Sequence, residues 1–323
     1  MKVLVTGSAG HLGEALMRTL RATNIVATGL DVLASPYTDL VGSIVDRHAV
    51  DDAMTGVTAV LHAATLHKPH VATHSRQAFV DVNVTGTLNL LESACAAGVR
   101  AFIYTSTTSA FGDALTPPAG SPAAWITEEV APIPKNIYGV TKVAAEDLCR
   151  LFHRNQGMPC IVLRTSRFFP EEDDMAERRS AYADDNLKVN ELLYRRIDVE
   201  DVVAAHLCAL DRAQALGFGR FIISATTPFQ REDAADLGRD AARILERRVP
   251  GHAAVYAARG WKMLPTLDRV YDNARGRELL GWRPRYDFAR ALQALAAGTD
   301  WRSPLAQSIG SKGYHRAANI TGS

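Results

Sequence analysis

Tyr138 and Lys142 stand four residues apart at the start of a stretch of helical periodicity in this 323-residue chain. At that spacing both side chains leave the same face of a helix. An ammonium beside a phenol favours the phenolate, which draws the tyrosine pKa toward the range of a general base. Tyr138 is the only one of the nine tyrosines with a lysine at this distance. Upstream, Thr105, Ser106, Thr107, Thr108 and Ser109 place five hydroxyls in a row behind an apolar run. A hydroxyl at the carboxyl end of a strand can hydrogen-bond a carbonyl as it develops. The chemistry these groups fit is removal of a proton from an alcohol while its carbon gives up a hydride.

A hydride needs an acceptor, and the start of the chain offers a site for one. Gly7, Gly10 and Gly13 lie between an apolar run at 3–5 and a helical pattern opened by His11 and Leu12. Gly7 permits a tight turn, Gly10 lets the backbone approach a pyrophosphate, and Gly13 lets helix and strand pack closely. The helix N-terminus presents free N–H groups and its dipole to the phosphates. Asp31 follows Gly13 by 18 residues, near the spacing of about 20 at which an acid meets an adenosine ribose. A carboxylate there repels a 2′-phosphate, and Val32, Leu33 and Ala34 supply no arginine to receive one. NAD is therefore expected, rather than NADP.

Other polar clusters are less specific. His62, His67, His70 and His74 fall within thirteen residues, and His70 with His74 could share a metal if helical. Pro69 breaks that pattern and no nearby carboxylate completes a ligand set, so no metal is expected. His67, Lys68 and His70 are read instead as substrate contacts. Arg167, Arg195 and Arg196 are candidates for clasping a carboxylate or phosphate, since a guanidinium binds either in bidentate fashion. The sequence does not choose among them.

The elements that must carry these groups alternate along the first half. Strands are predicted at 3–5, 25–30, 59–62, 101–104 and 161–163, and helices at 12–20, 79–97 and 138–152. Gly98 stands where a helix C-cap belongs. Such alternation builds a parallel sheet covered on both faces, here an α/β, Rossmann-type doubly wound sheet. Residues 169–188 are charged, beginning with Glu171, Glu172, Asp173 and Asp174, and show little apolar periodicity. A helix at 199–210 and a strand at 221–223 resume the pattern, and a helical, arginine-rich stretch follows to 301. The division expected is a dinucleotide-binding domain at 1–165, with 195–226 returning to it. Residues 166–194 and 227–301 would form a small substrate-binding lobe, and 302–323 a polar surface tail.

Composition narrows the remaining classes. With 36 Lys+Arg against 35 Asp+Glu the net charge is +1, which argues against a polybasic nucleic-acid surface. The 47% hydrophobic content fits a packed core. No run approaches the roughly 18 apolar residues of a membrane helix, and the opening residues lack the length and cleavage site of a signal peptide. Cys95, Cys149, Cys160 and Cys208 are scattered, without disulfide or zinc spacing. A soluble cytoplasmic protein is expected.

With these motifs in place, the sequence resembles the extended short-chain dehydrogenase/reductase family. This is the NAD-dependent epimerase/dehydratase family, which includes nucleotide-sugar epimerases and dehydratases. The resemblance runs from residue 1 to about 165. It resumes at Arg196-Ile197-Asp198-Val199-Glu200-Asp201-Val202 and at Asn273-Ala274-Arg275-Gly276-Arg277-Glu278-Leu279-Leu280-Gly281-Trp282-Arg283-Pro284. It implies Tyr138 as acid/base, Lys142 as its partner and Thr107 as the paired hydroxyl, with Ser106 the alternative for that last role. It further implies Ala63 and Ala64 lining the cofactor, Asn83 bracing the central helix, and a homodimer through the helices at 79–97 and 138–152. Ser43 follows Gly42 where members often carry an acid toward the adenine. The segment from Arg164 to Arg196 is short for a nucleotide-sugar enzyme, and its Arg164–Glu171 form is similar to that of short sugar-acid dehydrogenases. The function implied is epimerisation or dehydration of a sugar or nucleotide sugar. The alternatives are an NAD-dependent dehydrogenase of a free sugar or sugar acid and, more remotely, a non-catalytic dinucleotide sensor.

Overall fold

The computed structural model describes residues 1–313 other than 119 and 174. Its first half winds outward from a central strand. The chain runs β1 (Lys2–Thr6), α1 (His11–Ala22), β2 (Val26–Asp31), β3 (Leu40–Val41), α2 (Arg47–Ala53) and β4 (Ala59–His62). It continues through α3 (Arg76–Val80), α4 (Gly86–Ala96), β5 (Ala101–Thr107), β6 (Ala124–Ile126), α5 (Ile137–Gln156) and β7 (Cys160–Thr165). Then come α6 (Ala176–Ala181), α7 (Asp184–Glu191), α8 (Val199–Leu216) and β8 (Phe218–Ile223). The remainder is α9 (Ala234–Leu237), α10 (Ala241–Arg248), α11 (His252–Ala257), β9 (Arg269–Tyr271), α12 (Ala274–Leu279), α13 (Phe288–Ala296) and α14 (Pro304–Ile309).

Seven strands form one parallel sheet in the order β3-β2-β1-β4-β5-β7-β8. Val3, Leu4 and Val5 are fully buried, as a central strand covered on both faces requires. Helices α1 and α8 cover one face, and α2, α4 and α5 cover the other. The strand order reverses between β1 and β4. In a sheet of this kind a crevice opens there, at the carboxyl ends of the strands, and ligands bind in it.

Several expectations need correction. The helix predicted at 79–97 starts earlier, at Arg76, and is interrupted by a π-helical turn at Asp81–Thr85. Such a turn inserts an extra residue and re-aims side chains, and here it carries Asn83. The charged segment 169–188 is not featureless, since α6 and most of α7 lie within it, and α7 buries Leu187 and Val189. The tail at 302–323 does not begin as a tail. Ser303 is fully buried and caps α14. Its N–H and hydroxyl both donate to Asp198, at 3.0 and 2.6 Å, the residue that caps α8. Residues 314–323 lie outside the described residues.

A second core gathers Leu187, Val189, Leu237, Ile244, Leu245, Val270 and Phe288 with Trp301. It is tied to α8 through Asp201, whose carboxylate accepts the Arg285 and Tyr286 N–H groups and whose carbonyl accepts from Trp282 Nε1. A two-stranded parallel ribbon, β6 with β9, joins sequence positions far apart. No helix among the described residues is long and apolar enough to cross a membrane.

Candidate active site

The glycine loop turns between β1 and α1, at the switch point. Gly7 has φ +74°, and a Cβ on it would lie 2.7 Å from the Ala64 N. A Cβ on Gly13 would lie 1.9 Å from the Gly7 carbonyl oxygen. The loop therefore closes on its own helix and on the end of β4 with no room for a side chain. Thr6 and His62 pair across the two strands. The Thr6 hydroxyl meets His62 Nδ1 at 2.7 Å and accepts from the Ala64 N–H at 3.2 Å. His62 Nε2 meets the Thr87 hydroxyl on α4 at 3.0 Å. Burial pushes the His62 pKa down to about 3, with Lys142 adding to the effect, so the ring is a neutral brace.

Helix α1 is twelve residues long, and its first-turn N–H groups, from His11 to Gly13, have no partner within the helix. The His11 side chain turns into the protein. It is buried against Phe168 and Phe169, with ring centroids 6.0 and 5.9 Å away, and burial lowers its pKa to about 4 against the opposing pull of Glu171. Asp31 ends β2 beside the loop, where its carboxylate accepts the Ala9 and Leu33 N–H groups at 3.0 and 2.9 Å. A tight glycine turn, an open helix N-terminus and a carboxylate at the end of the second strand fit a dinucleotide whose ribose carries free hydroxyls.

Thr107 closes β5 at the same edge of the sheet. Side chains alternate along a strand, so Tyr104 and Ser106 face α5 while Thr105 faces α8, where its hydroxyl meets His206 Nε2 at 2.8 Å. The hydroxyl row is thereby split. Ser106 is turned into the interior and donates to Glu146 at 2.6 Å, so it is not available to a substrate. The Thr107 hydroxyl accepts the Ser109 N–H at 3.1 Å and lies close enough to the Tyr138 phenol to lower its pKa. Asn136 caps α5 by accepting from the Gly139 N–H at 3.1 Å, which sets Tyr138 in the first turn. Asn83 braces this helix from the π turn: its Nδ2 donates to the Thr141 hydroxyl at 3.0 Å, and its Oδ1 accepts the Leu66 N–H at 2.9 Å.

Lys142 is buried with Tyr138 but is not directed at the phenol. Its ammonium donates to the Thr105 carbonyl at 2.6 Å and lies 4.2 Å from the centre of the Tyr104 ring. Burial pushes the Tyr138 pKa up to about 12, with the Thr107 hydroxyl opposing. The phenol is thus neutral and proton-bearing in this arrangement. The sequence expectation that Lys142 lowers it is not realised, because the lysine charge is spent on a carbonyl and a ring face.

The remaining candidates divide. His67 stacks on Phe169, with centroids 5.4 Å apart and planes 16° apart, and sits 4.4 Å from His70. Phe168 and Phe169 thus bridge the loop side, at His11, and the β4 side, at His67, of the same crevice. Lys68 is exposed beside them, in a 3₁₀ turn at Lys68–Ala72. Arg196 is removed from consideration as a clasp: it is buried, with Nε on Glu191 at 2.7 Å and Nη1 on the Phe169 carbonyl at 2.9 Å. Arg167 is spent on the Glu171 and Glu172 carbonyls and Asp173, and Arg195 on Asp173 and Glu191. Guanidinium and carboxylate are here each other's partners, which also explains how the acidic segment folds.

Sequence reasoning missed Glu146 and Arg164. Both are fully buried, and Arg164 Nη2 lies 2.7 Å from the Glu146 carboxylate. The available signal was a glutamate four residues past Lys142 on the same helical face, together with an arginine ending the apolar run of β7.

The doubly wound sheet and its switch-point loop define a Rossmann-type, dinucleotide-binding enzyme. The chain matches the NAD dependent epimerase/dehydratase family over residues 3–223 and belongs to that family, with NAD as its cofactor. An uncharacterized protein of Sinorhizobium fredii is 30% identical over 166 residues, and the match spans 50% of this chain but only 39% of that protein. A UDP-glucose 4-epimerase of Rhizobium meliloti is 27% identical over 90% of this chain and 95% of its own. A short-chain dehydrogenase/reductase superfamily protein from Agrobacterium tumefaciens, solved with bound NAD, superimposes with a TM-score of 0.65. It is 28% identical, over 92% of this chain and 96% of that one.

Proposed function

We propose that this enzyme removes a hydroxyl proton from a sugar or nucleotide sugar at Tyr138 and returns an epimerised or dehydrated product. The observation that carries the reading is the buried Tyr138 phenol, with the Thr107 hydroxyl beside it, at the sheet edge next to the glycine loop. Bound NAD supplies a reversible hydride acceptor. Gly7, Gly10 and Gly13 with the α1 N-terminus hold its pyrophosphate, Asp31 its adenosine ribose, and Ala63 and Ala64 line its path. The neutral Tyr138 phenol first yields its own proton to solvent and, as the phenolate, then takes the alcohol proton; Thr107 donates to the oxygen on which charge develops, and Lys142 is the nearby cation. Of the relatives named above, one is a UDP-glucose 4-epimerase and another was solved with bound NAD, which supports the class of substrate.

A second reading, dehydrogenation of a free sugar or sugar acid, is favoured by one observation. Arg167, Arg195 and Arg196, the candidates for clasping a carboxylate or phosphate, are held by Asp173, Glu191 and backbone carbonyls, which leaves none of them for a diphosphate and favours an uncharged free sugar within that reading.

Absorbance of reduced nicotinamide separates the two, with the purified chain, NAD or NADP, and a panel of free sugars, sugar acids and nucleotide sugars. A new sugar isomer or keto-deoxy product without net NADH is expected. Net NADH from a sugar or sugar acid establishes the second reading instead, and no conversion of any member sinks both. Equal turnover with NADP would show that Asp31 does not select the cofactor. A homodimer through α4 and α5 belongs to the proposal, since Val140 and Leu151 on α5 are exposed apolar residues. Sedimentation should then give twice 35.0 kDa, and a monomer would refute it.

A further inference from the structure

Glu146 takes no part in the proton transfer proposed for Tyr138, yet it sits one helical turn past Lys142 and two past Tyr138, on the same face of α5. It is completely buried. Its Oε1 accepts from the Ser106 hydroxyl at 2.6 Å and from Arg164 Nε at 3.0 Å. Its Oε2 takes Arg164 Nη2 at 2.7 Å and has Arg220 Nε at 3.0 Å. A buried ion pair is a poor source of stability, because desolvation offsets the attraction. Its position against the lysine therefore calls for another reason. We propose that Glu146 is a positioning residue of this site: its carboxylate, fixed by Ser106 and Arg164, supplies the negative charge that opposes loss of the Lys142 proton inside the fold.

The groups around Lys142 leave Glu146 as the source of that charge. From α5 it has Cys149 nearby, from β4 His62, and from β5 the Tyr104 ring and the Thr105 carbonyl. Behind Glu146 stand Arg164 on β7 and Arg220 on β8, both cations. Among these groups Glu146 is the carboxylate. Burial lowers the Lys142 pKa to about 7, and Glu146 is the largest influence opposing that fall. Remove the carboxylate and Lys142 faces Arg164 across a dry interior. An arginine does not give up its proton in a protein, so the lysine does.

The consequence for turnover rests on the reading of Tyr138 and Lys142 given above, but the lysine charge can be measured with no substrate. The chain has seven lysines, so labelling their Cε carbons with ¹³C gives a spectrum simple enough to titrate. The Lys142 signal is identified by its loss in Lys142→Met. In Glu146→Gln its midpoint is expected to fall by about one pH unit or more, and Glu146→Asp, which keeps the charge, should recover most of the shift. In Arg220→Gln, at a side chain that reaches solvent, the midpoint should rise, because a competing cation is gone.

A carboxylate that merely braces the fold would lower thermal stability in these variants and leave both midpoints in place, and that result overturns the proposal. Should Glu146→Gln fail to fold, Arg220→Gln decides alone, and an unmoved or lowered midpoint sinks the inference. Failure of the sugar panel would remove the functional reading while leaving this titration intact.

Discussion

Tyr138→Phe should lower turnover by about 10²–10⁴-fold, the range attributed to a positioned general acid/base, with little change in NAD affinity. The phenol is buried, and the Thr107 hydroxyl is the polar group beside it. Phenylalanine keeps the ring that packs under the crevice and deletes only the oxygen that carries the proton. The glycine loop, the α1 N-terminus and Asp31 are untouched, so the cofactor should bind as before. Turnover on whichever panel substrate is converted, together with an NAD titration, provides the measurement. Turnover within tenfold of the parent would mean that another group moves the proton. A parallel collapse of NAD binding would mean that Tyr138 organises the site rather than reacts in it.

Gly13→Ala should have the largest effect on the cofactor site. The added methyl would lie 1.9 Å from the Gly7 carbonyl oxygen, 2.6 Å from its carbon and 2.7 Å from the Ser8 Cα. All three are backbone atoms, so no rotamer change relieves the clash. Helix α1 must shift away from the loop that it and β1 close. Overpacking of this kind costs about 1–3 kcal/mol even where side chains can adjust. Here the shift also carries the first-turn N–H groups of α1 away from where a pyrophosphate must sit.

The expected result is a loss of stability of about 3 kcal/mol or more in urea unfolding, with NAD affinity reduced at least about tenfold. Gly276→Ala is the control. Its added methyl meets nothing closer than 3.5 Å, and stability should barely change. Wild-type NAD affinity in a folded Gly13→Ala protein would show that the loop does not hold the pyrophosphate.

Local patterns in the sequence determined the glycine turn, the alternation of strand and helix, and the Tyr138–Lys142 spacing. Each depends on residues a few positions apart. Glycines are required where the chain approaches itself within a turn, apolar residues recur with the period of their own element, and an i, i+4 pair shares a helix face whatever surrounds it. The parallel sheet and the placement of the dinucleotide loop follow from such patterns, and both are legible in the order of the residues alone.

Three things were decided only by the tertiary structure. One is the pairing of β6 with β9, Ala124–Ile126 against Arg269–Tyr271, where three-residue strands carry too little periodicity to be recognised. Another is the docking of α14, where Ser303 finds Asp198 across the fold. The last is the partner each charged or hydroxyl group takes. Ser106 turns to Glu146, Arg196 to Glu191, and Lys142 to the Thr105 carbonyl rather than to Tyr138. Sequence shows that an arginine or a lysine is present, but the cost of burying a charge is met by whatever group the fold brings within about 3 Å of it. That neighbour is set by contacts between elements distant in the chain, and it decides whether the charge serves a ligand or the protein itself.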